Sequence, residues 1–425
     1  MVGCILLMCP FSSRDGTATP MFDALFTATS ATCVTGLVVC DTYTHWSLFG
    51  QTVIILLIQI GGLGFMTIIT MFSIMLKRRI GLKERSILQE SVSTMQLGGV
   101  VRLIRKVVLG TFMFEGIGAV LLSIRFIPRM GFVRGIFNGI FMSISAFCNA
   151  GFDLNGKYGE YSSLVSFQDD EIVNIVIMLL ILIGGIGFFV WDDIHRYKLK
   201  FKKYQLHTKI VLTLTLWLTI VGAVLFFCFE YDNTIADMSL SDAVTTSFFS
   251  SVTPRTAGFN TVDTADLKPA SKLLTIIYMF IGGSPGSTAG GAKTTTVAVL
   301  FISAWSTLRN SDDCNIFNRR LENESIRKAT SVITVNSILI ILSILIISFI
   351  QSELNLVDIV FEVFSAIDTV GMTTGVTREL TTVPRIVIMI LMYCGRVGSV
   401  SFALMFTENR KFISVKNPVE KINVG

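Results

Sequence analysis

Ser30-Ala-Thr-Cys-Val-Thr-Gly-Leu37, Ser145-Ala-Phe-Cys-Asn-Ala-Gly-Phe152, Ser251-Val-Thr-Pro-Arg-Thr-Ala-Gly-Phe259 and Ser365-Ala-Ile-Asp-Thr-Val-Gly-Met372 are one pattern written four times. Each ends in a glycine followed by an apolar residue, at Gly36, Gly151, Gly258 and Gly371, and the third carries one additional residue. Each follows an amphipathic run of about ten residues and precedes a long apolar one. Recurrence of this kind is read before anything else, because it sets the architecture. A helix of about ten residues rises about 15 Å, half of what a bilayer requires. Each run therefore reads as a half-helix that enters a membrane and stops at its glycine. Four such loops suggest one pore with four walls.

Composition agrees with a membrane setting. Of 425 residues, 52% are hydrophobic and only 15% charged, against roughly 25% charged in soluble domains. Mean hydropathy is +0.67. Apolar runs of spanning length occur at 48–76, 107–127, 172–191, 210–229, 273–308 (interrupted), 332–350 and 386–406, each able to cross about 30 Å of hydrocarbon as a helix. The fold class is an all-α integral membrane protein. The order span, half-helix, glycine loop, span recurs over residues 1–84, 85–205, 206–322 and 323–425, the last with a cytoplasmic tail. Residues 1–9 are apolar but Pro10 follows at once, so the first span reads as shortened. A signal peptide would want a basic start and a small-residue cleavage site, which this stretch lacks. Two spans per repeat give every repeat the same orientation, which allows a pseudo-fourfold axis along the membrane normal. Carriers built from inverted repeats need an odd number of crossings per repeat.

The net charge of +5 follows the loops. Lys77, Arg78, Arg79, Lys83, Arg85, Arg102, Arg105 and Lys106 share one loop, and Arg196, Lys198, Lys200, Lys202, Lys203 and Lys209 the next. Arg309, Arg319, Arg320, Arg327 and Lys328 fill a third. The positive-inside rule puts these loops in the cytoplasm and the four glycine loops outside, so the basic excess does not indicate nucleic acid. The eight cysteines are scattered without metal spacing and read as small core residues. His45, His195 and His207 lie near span ends and suggest no site.

A cation entering a bilayer must exchange its water for protein oxygens, and uncharged backbone carbonyls do so without trapping it. Turning carbonyls inward needs backbone angles that glycine tolerates, and non-helical backbone at this depth must line a watery cavity. The candidate filter is Thr32, Cys33, Val34, Thr35 and Gly36; Cys148, Asn149, Ala150 and Gly151; Arg255, Thr256, Ala257 and Gly258; and Asp368, Thr369, Val370 and Gly371. Asp23, Asp242 and Asp358 open three half-helices, whose partly negative C-terminal ends then face the pore. A single such loop would be an ordinary tight turn. Four in register favour the pore.

A second signal interrupts the 273–308 run: Gly282, Gly283, Ser284, Pro285, Gly286, Ser287, Thr288, Ala289, Gly290 and Gly291, then Ala-Lys-Thr. It superficially looks like a phosphate loop, but Lys293 falls one residue late and no strand precedes it. Pro and Gly must break the helix here, placing a flexible loop just below the filter, where it can act as a gate. Gly61-Gly-Leu-Gly-Phe65 and Gly184-Gly-Ile-Gly-Phe188 occupy the matching place in the first two repeats, and Cys394-Gly-Arg-Val-Gly398 in the last. Arg396 is a charge inside a span, which by default reads as functional. It is expected to reach the 282–291 loop and repel cations when that loop is closed; a packing salt bridge is the alternative. Glu115 reads as a structural hydrogen-bond partner.

These motifs together resemble the Trk/Ktr/HKT superfamily of potassium transporters, most of all the membrane subunits of bacterial Ktr systems. The resemblance covers nearly the whole chain. It implies that Gly36, Gly151, Gly258 and Gly371 are filter glycines, that 282–291 is the intramembrane gating loop and that Arg396 is its partner. It also implies potassium uptake across the bacterial plasma membrane by a multi-pass homodimer with one pore per subunit, surrounded by membrane lipid. A cytosolic RCK-type regulatory ring binding ATP, ADP or NAD would open the gate, in some members with Na⁺. No cofactor is expected on this chain itself, only K⁺ at the filter as the transported ion. K⁺ over Na⁺ selectivity stays open, since each filter has one glycine. Two other readings remain: a gradient-coupled carrier, of a small solute or a sodium-coupled cation, using the broken helix as its site, and a membrane enzyme. The enzyme ranks last because converging acid, base or nucleophilic groups are almost absent from the spans.

Overall fold

The computed structural model describes residues 1–64, 100–198, 200–311 and 313–398, with side chains of the second stretch from residue 104 onward. The second half of the 48–76 run, most of the first basic loop, the end of the 386–406 run and the tail lie outside the described residues.

The chain opens with α1 (Val2–Met8), stopped by Pro10, then α2 (Met21–Cys33) and α3 (Leu48–Leu63). Next come α4 (Val100–Met130), α5 (Phe132–Cys148), α6 (Glu171–Gly185) and α7 (Phe188–Tyr197). The third group is α8 (Leu206–Glu230), α9 (Leu240–Val252), α10 (Pro269–Ile281) and α11 (Thr294–Leu308). A two-residue hairpin, Asn315–Ile316 with Arg319–Arg320, leads to α12 (Asn323–Ile350), α13 (Leu356–Ile367), α14 (Val376–Glu379) and α15 (Thr382–Val397). Among the described residues, Ile104–Met130, Leu206–Glu230 and Asn323–Ile350 are long and apolar enough to cross a bilayer unaided. The chain is a multi-pass membrane protein.

Local chemistry sets the helix starts. Side chains of Ser47, Asp170, Ser239 and Asn355 accept the first free N–H groups of α3, α6, α9 and α13, which would otherwise lack partners. Pro269 sits in the first turn of α10, where its missing N–H is harmless.

One expectation is corrected. The 172–191 run is not a single span: α6 and α7 meet at a 94° bend. The hydropathy is continuous there, but Gly187 takes φ +94° and a Cβ on it would lie 2.7 Å from the Pro285 carbonyl oxygen. The helix turns aside to make room for the interrupted part of the 273–308 run. Glycine with positive φ ends the inner helix in all four places: Gly64, Gly187, Gly282 and Gly398.

Packing closes on itself. The inner helix of each group packs on the half-helix of the next, α3 on α5, α6 on α9 and α10 on α13, and α15 returns to α2. The largest apolar core joins the first two groups, with Phe126, Phe141, Phe147, Phe152 and Trp46 fully buried. A second core, built on Phe26, Ile340, Ile359 and Met392, joins the last group to the first.

Candidate functional site

Each half-helix ends against the centre of this ring. The residue after α2, Val34, and that after α5, Asn149, are left-handed, with φ of 58° and 59°; Thr256 and Thr369 take φ of 71° and 47° at the corresponding positions. Three of these four are β-branched, for which this region is strained, and such strain persists only where the surroundings impose it. The amides that follow turn back onto the helix ends: Thr35 to the Ser30 carbonyl (2.9 Å), Ala150 to Ser145 (2.8 Å) and Val370 to Ser365 (2.8 Å).

Gly36, Gly151, Gly258 and Gly371 follow, with φ of 98°, 69°, 81° and 92°. A Cβ added to Gly36 would lie 3.1 Å from the Gly151 Cα; from Gly151 the distance to Gly258 is 3.0 Å, from Gly258 to Gly371 3.3 Å, and from Gly371 back to Gly36 2.9 Å. The four glycines thus form a closed ring too tight for any side chain. The carbonyl of the preceding residue (Thr35, Ala150, Ala257 or Val370) lies against the neighbouring glycine each time. Thr35 Oγ1, Asn149 Oδ1, Thr369 Oγ1 and Asp368 Oδ2 are buried with no hydrogen-bond partner among the described residues. Buried oxygens are ordinarily paired, and unpaired ones in the loops that end at the ring are acceptors open to a donor or a cation.

Of the remaining candidates, Thr32 and Cys33 form the last turn of α2, and Cys148 ends α5. Arg255 is buried, and its guanidinium donates to Thr215 Oγ1 (3.1 Å), away from the ring. Asp368 caps α13.

The interrupted part of the 273–308 run packs against the half-helix ends. A helix broken in a membrane exposes backbone groups that must find partners, and here other segments supply them. Ser284 N–H donates to the Gly185 carbonyl (3.0 Å), Thr288 N–H to Gly184 (3.3 Å) and Phe188 N–H to Gly286 (2.8 Å). Thr288 Oγ1 donates to the Phe147 carbonyl (3.1 Å), and Ala292 N–H to Asp368 Oδ1 (3.0 Å). Lys293 folds its ammonium onto its own loop, donating to the carbonyls of Ala289 (2.8 Å) and Gly290 (3.0 Å), so it is engaged within the protein. Arg396 does reach this loop: Nη1 donates to the Thr288 carbonyl, and Nη2 to those of Gly61 and, at 3.1 Å, Gly62. One guanidinium ties the ends of the first and last inner helices to the loop of the third. Glu115 is buried and accepts from Gln59 Nε2 (3.2 Å) beside Cys148, the structural bond expected.

Comparison with known proteins decides the family. The family model described as "TrkH: Cation transport protein" matches residues 5–414. The chain belongs to the TrkH family. It is 40% identical to the potassium/sodium uptake protein NtpJ of Enterococcus hirae, covering 100% of this chain and 94% of that protein. Its identity to Ktr system potassium uptake protein B of Bacillus subtilis is 41%, over 97% and 91% of the two chains. The crystal structure of the potassium transporter TrkH from Vibrio parahaemolyticus superposes with a TM-score of 0.73 at 16% identity, covering 92% of this chain and 79% of that one. That likeness establishes a shared fold with a TrkH-family transporter.

Two sets of residues had no sequence assignment. Ser30 and Ser365, six positions before their glycines, accept the Gly36 and Gly371 amides (3.1 Å each), and Ser145 donates to the Phe152 carbonyl (2.7 Å). The opening serine was the available signal in three of the four stretches; in the third, Ser251 donates instead to the Thr219 carbonyl (2.9 Å) and Thr253 Oγ1 to that of Phe259. Glu362, buried on α13, accepts from Thr373 Oγ1 (2.7 Å) and from Thr377 Oγ1, while Thr373 Oγ1 accepts the Gly375 amide (3.0 Å). This network holds the chain just after Gly371. An acid in a short amphipathic run that already carries Asp358 gives no sequence signal of that role.

Proposed function

We propose that this chain is the ion-conducting subunit of a potassium uptake system, with a pore on a pseudo-fourfold axis between four tandem repeats. The observation that carries the reading is the closed ring of Gly36, Gly151, Gly258 and Gly371, with the carbonyls of Thr35, Ala150, Ala257 and Val370 beside it. Left-handed residues before all four glycines, with the Gly36 and Gly371 amides held by Ser30 and Ser365, fix those carbonyls, so a K⁺ ion finds preformed oxygens in place of water. The half-helices point their C-terminal ends at the ring, where their dipoles favour a cation. The reading agrees with relatives of 40% and 41% identity whose names state potassium or potassium/sodium uptake.

In this reading 282–291 is the gate. It closes the path below the ring, bridging Gly184 and Gly185 on one side and Asp368 on the other, and Arg396 holds it while adding a positive charge that repels cations. Opening requires the Arg396–Thr288 contact to break. A cytosolic nucleotide-binding ring on the basic loops, acting on a homodimer, would supply that work.

The test is flux from proteoliposomes containing the purified chain, with K⁺ or ⁸⁶Rb⁺ gradients and an imposed membrane potential. A conducting pore moves Rb⁺ in whichever direction the electrochemical gradient points. Flux that saturates and stops without a stoichiometric co-ion would instead make the broken helix the binding site of a carrier.

A further inference from the structure

Away from the ring, a cavity of about 530 Å³ opens between the segment after α1, the start of α3 and the junction of α4 with α5. That volume lies within the usual range for small-ligand sites, about 300–1,000 Å³. Arg14, Arg134 and Lys157 line it, and none of its lining residues is acidic. Among the described residues none of the three cations has a carboxylate partner. Arg14 lies over the Tyr43 ring (4.1 Å), and Arg134 donates to the Tyr43 hydroxyl (2.6 Å). Like charges gathered in a recess repel unless an anion is placed among them.

Two independent features point to the same ligand. Asn138 lines the cavity at 2% exposure, and its Oδ1 is buried with no partner among the described residues, an acceptor awaiting a donor. Three half-helices carry an aspartate in the first turn, Asp23, Asp242 and Asp358, whereas α5 has none and carries Arg134 there. The positive end of α5 thus lacks the anion its counterparts have.

The mouth is apolar. Leu48, Phe132 and Val133 beside it are 65%, 70% and 78% exposed, and in a membrane protein such residues at helix ends meet acyl chains. We infer that this cavity binds an anionic phospholipid. Its phosphate sits among Arg14, Arg134 and Lys157, a headgroup hydroxyl donates to Asn138 Oδ1, and its acyl chains lie over Leu48 and Val133.

The experiment is native mass spectrometry and thermal unfolding of the full chain in detergent. The probes are a phosphatidylglycerol, a phosphatidylcholine and inorganic phosphate, each alone. Phosphatidylglycerol is expected to stay bound and raise the unfolding temperature, while phosphatidylcholine and free phosphate do neither. Lys157→Gln, an exposed change, and Arg134→Gln should each weaken retention roughly tenfold, as for loss of one charge-assisted bond. Asn138→Leu should reduce the preference for the hydroxyl-bearing headgroup. Equal retention of both lipids, an equal effect of phosphate alone, or binding unchanged in Lys157→Gln and Arg134→Gln would overturn the assignment. So would protection of this face only in a dimer of the chain.

Discussion

At the scale of single residues, two side chains bind segments that adjoin the glycine loops. Arg396 donates to carbonyls on two segments, and each hydrogen bond to a charged group contributes about 1.5–3 kcal/mol. Arg396→Gln is expected to raise Rb⁺ uptake in the unstimulated state about tenfold while leaving the K⁺/Na⁺ preference unchanged. Uptake in cells lacking their own potassium systems checks this, and an unaltered basal rate would remove Arg396 from the gate. Glu362 acts above the ring, where it fixes Thr373 and Thr377. Glu362→Ala should lower the K⁺/Na⁺ permeability ratio roughly tenfold, and Glu362→Gln, which keeps an acceptor, much less. A ratio that stays at the parent value in Glu362→Ala would reduce the network to packing. Arg396 was legible in the sequence because a charge inside an apolar span stands out against its neighbours. Glu362 was not, because its partners lie 11 and 15 residues on and nothing local shows the carboxylate turning inward.

At the scale of elements, the bend between α6 and α7 decides how the 282–291 loop is seated. Gly187 permits the 94° turn and leaves Phe188 N–H free to bond the Gly286 carbonyl. An alanine there would carry a Cβ 2.7 Å from the Pro285 oxygen and a left-handed backbone, costing about 1–2 kcal/mol in conformation alone. Gly187→Ala is expected to unseat the loop and raise basal Rb⁺ flux several-fold, with less thermal stability. Gly116→Ala, whose added Cβ meets nothing within 4 Å, should leave both unchanged and serves as the control. If Gly187→Ala conducts like the parent, the bend is incidental to gating. The short helices were legible because α2, α9 and α13, with 13, 13 and 12 residues, are too short to span, and all four, with α5, lead into a repeated glycine loop. The bend was not: hydropathy runs unbroken through Ile186 and Phe188, and the reason for turning is a loop about a hundred residues further along the chain.

At the scale of the whole molecule, the cyclic packing of α3, α6, α10 and α15 on successive half-helices is what brings four distant glycines within contact. The sequence announced that they are equivalent but not that they touch, because the ring depends on contacts between groups. If the ring is the filter, its members are interchangeable in effect although their neighbours, Thr35, Ala150, Ala257 and Val370, differ. The measurement that tests this most directly is the K⁺/Na⁺ permeability ratio in proteoliposomes for Gly36→Ser, Gly151→Ser, Gly258→Ser and Gly371→Ser, each against the parent. The account predicts that all four lower the ratio, with Na⁺ entry rising as K⁺ preference falls, because a Cβ at any one position displaces the next loop's backbone. Retention of the parent ratio in any of the four that still conducts would contradict a shared filter.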